Sequence, residues 1–283
     1  MASQLTKADR EALIEETYAD PVLFLQTFLN HLFPNPVPWL HRGIIAIILK
    51  KTEFLFKYGE LEKILTNFIS TDGQPIFELW QDSVLWHEGD KIEWKEKATI
   101  KLKNKKFTLL MIPRGFSKTT LCGIGLPLYK ILFQEGKFTA YISETGAHAK
   151  MQLDNVRREI NSNSLILAVF GTLKPRLSDD EKWGQDLFET NTGQAMVARG
   201  RGAQVRGMNH NGKRPGTIIM DDLEDRESVS TTEQRFKART WVFEDLIPAI
   251  AELDDDSTIV ALGTLLHKEA ILMYLSRDEQ WTT

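Results

Sequence analysis

Cysteine is almost absent: Cys122 is the only one in 283 residues. That excludes an intrachain disulfide, argues against a thiolate zinc site and fits a reducing compartment. The six histidines show no ligand spacing. Positive charge is not in excess either, with 35 Lys and Arg against 39 Asp and Glu and a net charge of -4. The chain therefore does not coat nucleic acid by bulk charge, and any such contact must come from a local patch or an assembly. Long apolar runs are missing, since none approaches the roughly 20 residues of a membrane span. The opening "MASQLTKADREALIEE" lacks the apolar core of a signal peptide. No internal repeat or low-complexity segment is present. A soluble intracellular protein with no membrane contact is expected. What remains is ordinary globular composition, 42% hydrophobic and 26% charged, with length for one large or two modest domains.

The first 70 residues read as helical. "DREALIEETYADPVLFLQTFLNHLF" repeats apolar residues every three or four positions until "PNPVP", and "WLHRGIIAIILKKTEFLFKYGELEKILTNFI" continues that rhythm. The pattern weakens from Ser70 to Lys105. "ATIKLKNKKFTLLMI" then alternates, with a turn expected at Lys103–Lys105, so that a strand or hairpin leads onward. Beyond it strands alternate with helices. Strands are expected at "FTAYISE", "QAMVAR", "GTIIMDD" and "STIVALGT". Helices are expected at "TGAHAKMQLDNVRREINSN", "TTEQRFKARTWVFEDLIPAI" and "KEAILMYLSRD". Continuously apolar strands between helices predict a mostly parallel sheet covered on both faces.

One junction carries chemistry. "KFTLLMIPRGFSKTTLCGIGLPLYKIL" is a strand, a turn and a helix starting at Lys118, with Leu121, Ile124, Leu128 and Ile131 on one face. A phosphate-binding loop has Gly just before its Lys and another Gly five residues earlier; here Ser117 and Ile112 stand in those places. Gly115 still allows close backbone approach, Lys118 offers a point charge, Thr119 a hydroxyl for magnesium, and the helix start free N–H groups. The plainer alternative is a surface lysine on an ordinary turn. Pro127 predicts a kink or an early end. Asp221 and Asp222 end an apolar strand downstream, followed by Glu224 and Asp225, which is where a magnesium-holding acid belongs beside such a loop. Asp221 is assigned to the metal, and either Asp222 or Glu224 to the attacking water. The basic, glycine-rich "ARGRGAQVRGMNHNGKRPG" could offer an arginine to a transferring phosphoryl group. Thr264, after Gly263, ends another buried strand at the edge that faces the crevice. "KLKNKKF" reads as an edge guarded by lysines, Ser143 lacks the setting of a nucleophile, and Cys122 reads as a packing residue.

The order of "PRGFSKTT", "YISETGAHAKMQLDNVRREI", "VRGMNHNGKRPGTIIMDDLEDRE" and "LGTLLHKEAILMYL" resembles the ATPase domain of large terminase subunits, the DNA-packaging motors of tailed bacteriophages. The resemblance covers roughly Phe107 to Leu275. It implies a P-loop NTPase fold of the RecA/ASCE-like kind over 71–283, with residues 1–70 as a helical segment packed on it. Terminases tolerate a variant loop with an Arg shortly before the Lys, so Arg114, Gly115, Phe116, Ser117, Lys118, Thr119 and Thr120 form the implied ATP cradle. Asp221 with Thr119 is the implied magnesium site. The family usually has Glu directly after its metal acid, where this chain has Asp222. Arg206 matches an arginine offered to a neighbouring subunit, with Arg201 and Arg199 as alternatives. Thr264 matches a coupling motif, and a group in "VPWLHRGI" is implied to contact adenine.

The implied partners are double-stranded DNA, a portal protein, a small terminase subunit and further copies of the chain in a ring, with a monomer in isolation also compatible. The implied location is the host cell cytoplasm. Large terminases also carry a nuclease domain after the ATPase. The chain stops at "SRDEQWTT", so no nuclease activity is expected from these residues, which read as part of a longer protein. Two rival expectations stand beside the motor: an assembly module that binds ATP without turning it over, and a helicase-like ATPase.

Overall fold

The computed structural model describes residues 5–51, 53–59, 63, 67–69, 73, 76–79, 100–102, 106–175, 183–250 and 257–283. The turn expected at Lys103–Lys105 lies outside them, as do residues 80–99 and most of the helical rhythm expected over 60–69.

Three helices open the chain: α1 (Lys7–Ala19), α2 (Pro21–Phe28) and α3 (Trp39–Leu49). The first apolar run reads as one helix but is split at Asp20. There Pro21 takes the first helical position, and the Asp20 carboxylate caps α2 by accepting from the Val22 and Leu23 amides at 3.1 and 3.0 Å. Lys50, in the left-handed region at φ 53°, ends α3, and a 3-10 turn (Glu53–Tyr58) follows. Next, β1 (Phe77–Leu79) and β2 (Ile100–Leu102) pair antiparallel as a small separate sheet.

The main sheet begins with β3 (Phe107–Met111). After the loop, α4 (Lys118–Thr120) runs into a π-helical turn (Leu121–Gly125) and on into α5 (Leu126–Leu132). Pro127 is accommodated by this wider turn, in which the Leu126 amide reaches back to the Leu121 carbonyl, rather than by a break in the helix. The remaining order is β4 (Phe138–Ser143), α6 (Gly146–Ser162), α7 (Ser164–Phe170), β5 (Leu187–Glu189), β6 (Ala195–Gly200), β7 (Thr217–Asp221), α8 (Thr232–Thr240), β8 (Thr258–Gly263), α9 (Ile271–Leu275) and β9 (Trp281–Thr282). A second π turn (Trp241–Leu246) and a 3-10 turn (Ile247–Ala249) extend α8.

The sheet runs β5-β6-β4-β7-β8-β3-β9, and every neighbouring pair is parallel except β5 with β6. Its central strands are mostly apolar because both faces are covered. Tyr141, Ile219, Val260 and Leu110 face a core shared with α2, α3, α5, α6 and α7. Ile142, Ile218, Ile259 and Leu109 face the other core, with Trp241, Val242, Ile271 and Leu275. The parallel strands share one carboxyl edge, so Met111, Ser143, Asp221 and Gly263 end on the same side of the molecule. Among the described residues no helix is long and apolar enough to cross a membrane.

Candidate functional site

The loop between β3 and α4 depends on two backbone positions. Gly115 has φ 88° and Ser117 has φ 51°, both left-handed. Glycine adopts that region freely, whereas a serine is strained there by about 1–2 kcal/mol. The place where the common motif has glycine therefore keeps the glycine conformation in this chain without the glycine. The helix starts at Lys118, as its sequence predicts, and Lys118 is 7% exposed. Its ammonium lies 3.3 Å from Oδ2 of Asp222. Arg114, Gly115, Phe116 and Ser117 are exposed, and Thr119 and Thr120 are half-buried. Arg114 makes no ion pair with the described residues. The Phe116 carbonyl accepts from His41 Nε2 at 2.8 Å, which ties the loop to α3. That bond sets the His41 tautomer, because a carbonyl only accepts, and it leaves Nδ1 buried without a partner.

Asp221 ends β7 fully buried. Its Oδ2 accepts the Tyr141 hydroxyl at 2.6 Å, while Oδ1 is buried and makes no hydrogen bond. Burial pushes its carboxyl above the usual range, and Tyr141 and Thr119 oppose that shift. The Asp222 charge adds to the rise and the Lys118 charge reduces it. The Thr119 hydroxyl is thus near enough to favour the ionised form without closing a hydrogen bond on Oδ1. The proton shared with Asp221 has the converse effect on Tyr141: burial and the adjacent carboxylate hold its hydroxyl well above its ordinary range. A buried carboxylate oxygen without a donor is costly. A cation beside the Thr119 hydroxyl would satisfy it, so these residues fit a magnesium ion of the kind held by one or two protein groups plus substrate phosphates.

Asp222 follows with φ 43°, its amide still bonded to the Leu262 carbonyl at 2.9 Å. The left-handed turn takes the chain out of the strand at the residue whose carboxylate faces Lys118. Glu224 does not face the lysine. Its Oε2 accepts the Ile271 amide at 2.8 Å, and its Oε1 is buried without a partner. Burial lifts its carboxyl to about 7, against the opposing pull of the Ile271 amide and the Arg201 charge. Thr264 is brought to the loop, since its hydroxyl reaches the Ile112 carbonyl at 3.4 Å and the Ile112 amide donates to Gly263 at 3.2 Å.

Arg206 is not brought to the loop of its own chain. Its guanidinium pairs with Asp245 on the π turn after α8, and the side chain is 68% exposed. Arg201 lies closer to the acids, donating to the Leu223 carbonyl at 2.7 Å with Asp225 at 3.9 Å. Arg199 donates to its neighbour's carbonyl at the end of β6.

Sequence reasoning missed Tyr141, Ser143 and His148 as parts of this site. The Ser143 hydroxyl donates to the Asp221 carbonyl at 3.1 Å, so His148 Nδ1, 2.9 Å away, supplies the proton of their shared bond. One available signal was Tyr141 itself, a phenol inside a fully buried strand whose hydroxyl needs a buried partner.

No protein-family model matches the chain, and no curated protein does. Among solved structures it is similar to a crystal structure of the HK97 bacteriophage large terminase, with a TM-score of 0.43 and 15% identity. The likeness covers 86% of this chain and 43% of that one, so the chain spans less than half the length of the protein it matches. Similarity at that level identifies neither a family nor an activity. The description that stands is a mixed α/β protein whose seven-stranded, mostly parallel sheet brings Lys118, Thr119, Asp221 and Asp222 together at its carboxyl edge.

Proposed function

We propose that this chain is the ATPase of a terminase-type packaging motor, using ATP and magnesium to move double-stranded DNA. The observation that carries the ATPase reading is the meeting of Lys118 with Asp222 at 3.3 Å, beside the donor-less Oδ1 of Asp221. Two chain segments far apart in sequence thereby put a cation, a metal-ready carboxylate and a second carboxylate at one helix start. The motor reading is supported by the order of the four motifs along the chain.

In this reading the exposed loop amides and Lys118 receive the phosphates. Asp221 and the Thr119 hydroxyl would hold magnesium, which when bound supplies positive charge to the β- and γ-phosphates. Phosphate oxygens compete for Lys118, and Asp222, released from its ion pair, accepts a proton from the attacking water. Thr264, bonded to the start of the loop, senses its position from the adjacent strand. Arg206 serves a neighbouring subunit's nucleotide from its exposed place, in a ring that also engages DNA, a portal protein and a small subunit in the host cytoplasm.

Phosphate release measured on the purified chain, alone and with DNA under ring-forming conditions, tests the reading. Asp222→Asn is expected to lower turnover by about 10²–10⁴-fold, the range of a lost general base, while ATP still binds. Normal turnover in that variant, or none in the parent chain under any assembly condition, would overturn it.

A further inference from the structure

Glu224 is the acid nearest in sequence to the proposed base, yet its geometry suits a different task. The helix α9 begins after Ala270, a residue with no side chain able to cap it. The first amide of that helix, on Ile271, is instead satisfied by Glu224 at 2.8 Å, a contact spanning 47 residues. Both ends of this bond matter to the site. Glu224 follows Asp222 by one residue past Leu223, and α9 follows the segment that begins with Thr264. Asp222, Glu224, Gly263, Thr264, Ile271 and Leu272 line one small pocket between the acid turn and α9.

We propose that Glu224 is a positioning residue, a strut joining the acid turn to α9 so that Asp222 is held toward Lys118 and Thr264 toward the loop. The bond needs only an acceptor at Oε2; it needs neither a negative charge nor proton transfer. That separates the strut from a base, because a glutamine keeps an acceptor oxygen and loses all basicity. With Oε1 buried and unpartnered, Oε2 is the oxygen that the structure puts to use. This assignment rests on the ATPase reading only for its effect on turnover; the strut itself is a property of the fold.

Two readouts on the full chain keep the claims apart. The first is amide exchange at Ile271, which needs no nucleotide. It is expected to stay slow in Glu224→Gln and to accelerate at least about fivefold in Glu224→Ala, the loss of one helix cap. The second is ATP turnover beside ATP affinity. Glu224→Gln should retain kcat within about threefold, and Glu224→Ala should lose kcat with the ATP Kd unchanged. If Gln is as inactive as Ala while Ile271 stays protected, Glu224 is the base and the strut assignment is wrong. Unchanged exchange at Ile271 in the Ala variant overturns it as well. Absence of turnover in the parent chain overturns the ATPase reading, while the exchange result still decides the strut.

Discussion

Two lysines of this molecule have contrasting surroundings. Lys51, at the end of the amino-terminal helices, donates to the Tyr129 hydroxyl at 2.7 Å and lies 3.2 Å from Glu135. Its ammonium also sits 3.4 Å from the centre of the Tyr18 ring. Tyr129 in turn donates a hydrogen bond to the Tyr18 carbonyl at 2.6 Å, and burial pushes its hydroxyl above its usual range. Phe24 and Phe133 complete the aromatic wall. Lys118, more deeply buried, has one carboxylate at 3.3 Å. Around it lie a strained serine, a strained aspartate and a carboxylate oxygen without a donor. Left-handed non-glycine residues flank both lysines, Lys50 and Gln134 beside the first and Ser117 and Asp222 beside the second. What sets the second region apart is therefore the donor-less oxygen of Asp221 beside a lysine with one close carboxylate.

The largest expected effect is a reciprocal pair. Lys118→Ala should weaken ATP binding roughly 10–100-fold, the loss of a charge-assisted contact, with little change in unfolding. Lys51→Ala should do the reverse, costing about 1–3 kcal/mol of stability while ATP affinity holds. Calorimetric titration and urea unfolding on both variants read this out, and an exchange of the two patterns would dissolve the contrast.

A medium effect comes from pH. The Glu224 carboxyl is raised to about 7 from 4.5, so the folded chain holds its proton over a range where the unfolded chain has released it. Its contribution to stability is therefore full below the unfolded value and is lost as pH rises through about 7. Unfolding free energy should fall between about pH 5 and about pH 8, and Glu224→Gln should flatten that part of the profile. Equal slopes in the two proteins would show that the carboxyl is not buried as described.

The smallest effect concerns the loop before Lys118. Ser117→Gly should relieve left-handed strain and raise stability by up to about 1 kcal/mol, with ATP affinity retained. A loss of stability would mean that the serine side chain contributes a contact that outweighs its backbone cost.

Much of the sheet and part of the site are legible in the amino-acid sequence. The runs around Ile142, Ile219 and Val260 are buried at every position and mostly apolar because both faces are covered, and a sheet of that kind announces itself. The helix start at Lys118 and the acids after Met220 are also readable from local pattern. Short elements are not: β5 and β9 have three and two residues, too few for any period to show. Asp20-Pro21 carries a helix-start signal inside a run whose spacing hides it. Within the site, the link from Tyr141 to Asp221 spans 80 residues and the one from Glu224 to Ile271 spans 47. Nothing in sequence spacing encodes such pairs; only the strand order creates them. The choice between Asp222 and Glu224 lies open in the sequence for that reason, since both follow the same strand and only their distant neighbours differ.

The π turn at Leu121–Gly125 acts as an angular spacer. A helix advances about 100° per residue, so one surplus residue in a turn resets the phase of everything beyond it. The stretch carrying Lys118 and Thr119 can therefore keep one heading while Leu128 and Tyr129 keep another. Where the phase changes, Gly123 presents bare backbone to Tyr141, and an added Cβ there would come within 3.0 Å of the phenol oxygen. That phenol is the one holding Asp221. A side chain at Gly123 would press on that phenol, so the helix that starts at Lys118 and the seat of Asp221 meet at a position with little room for a Cβ.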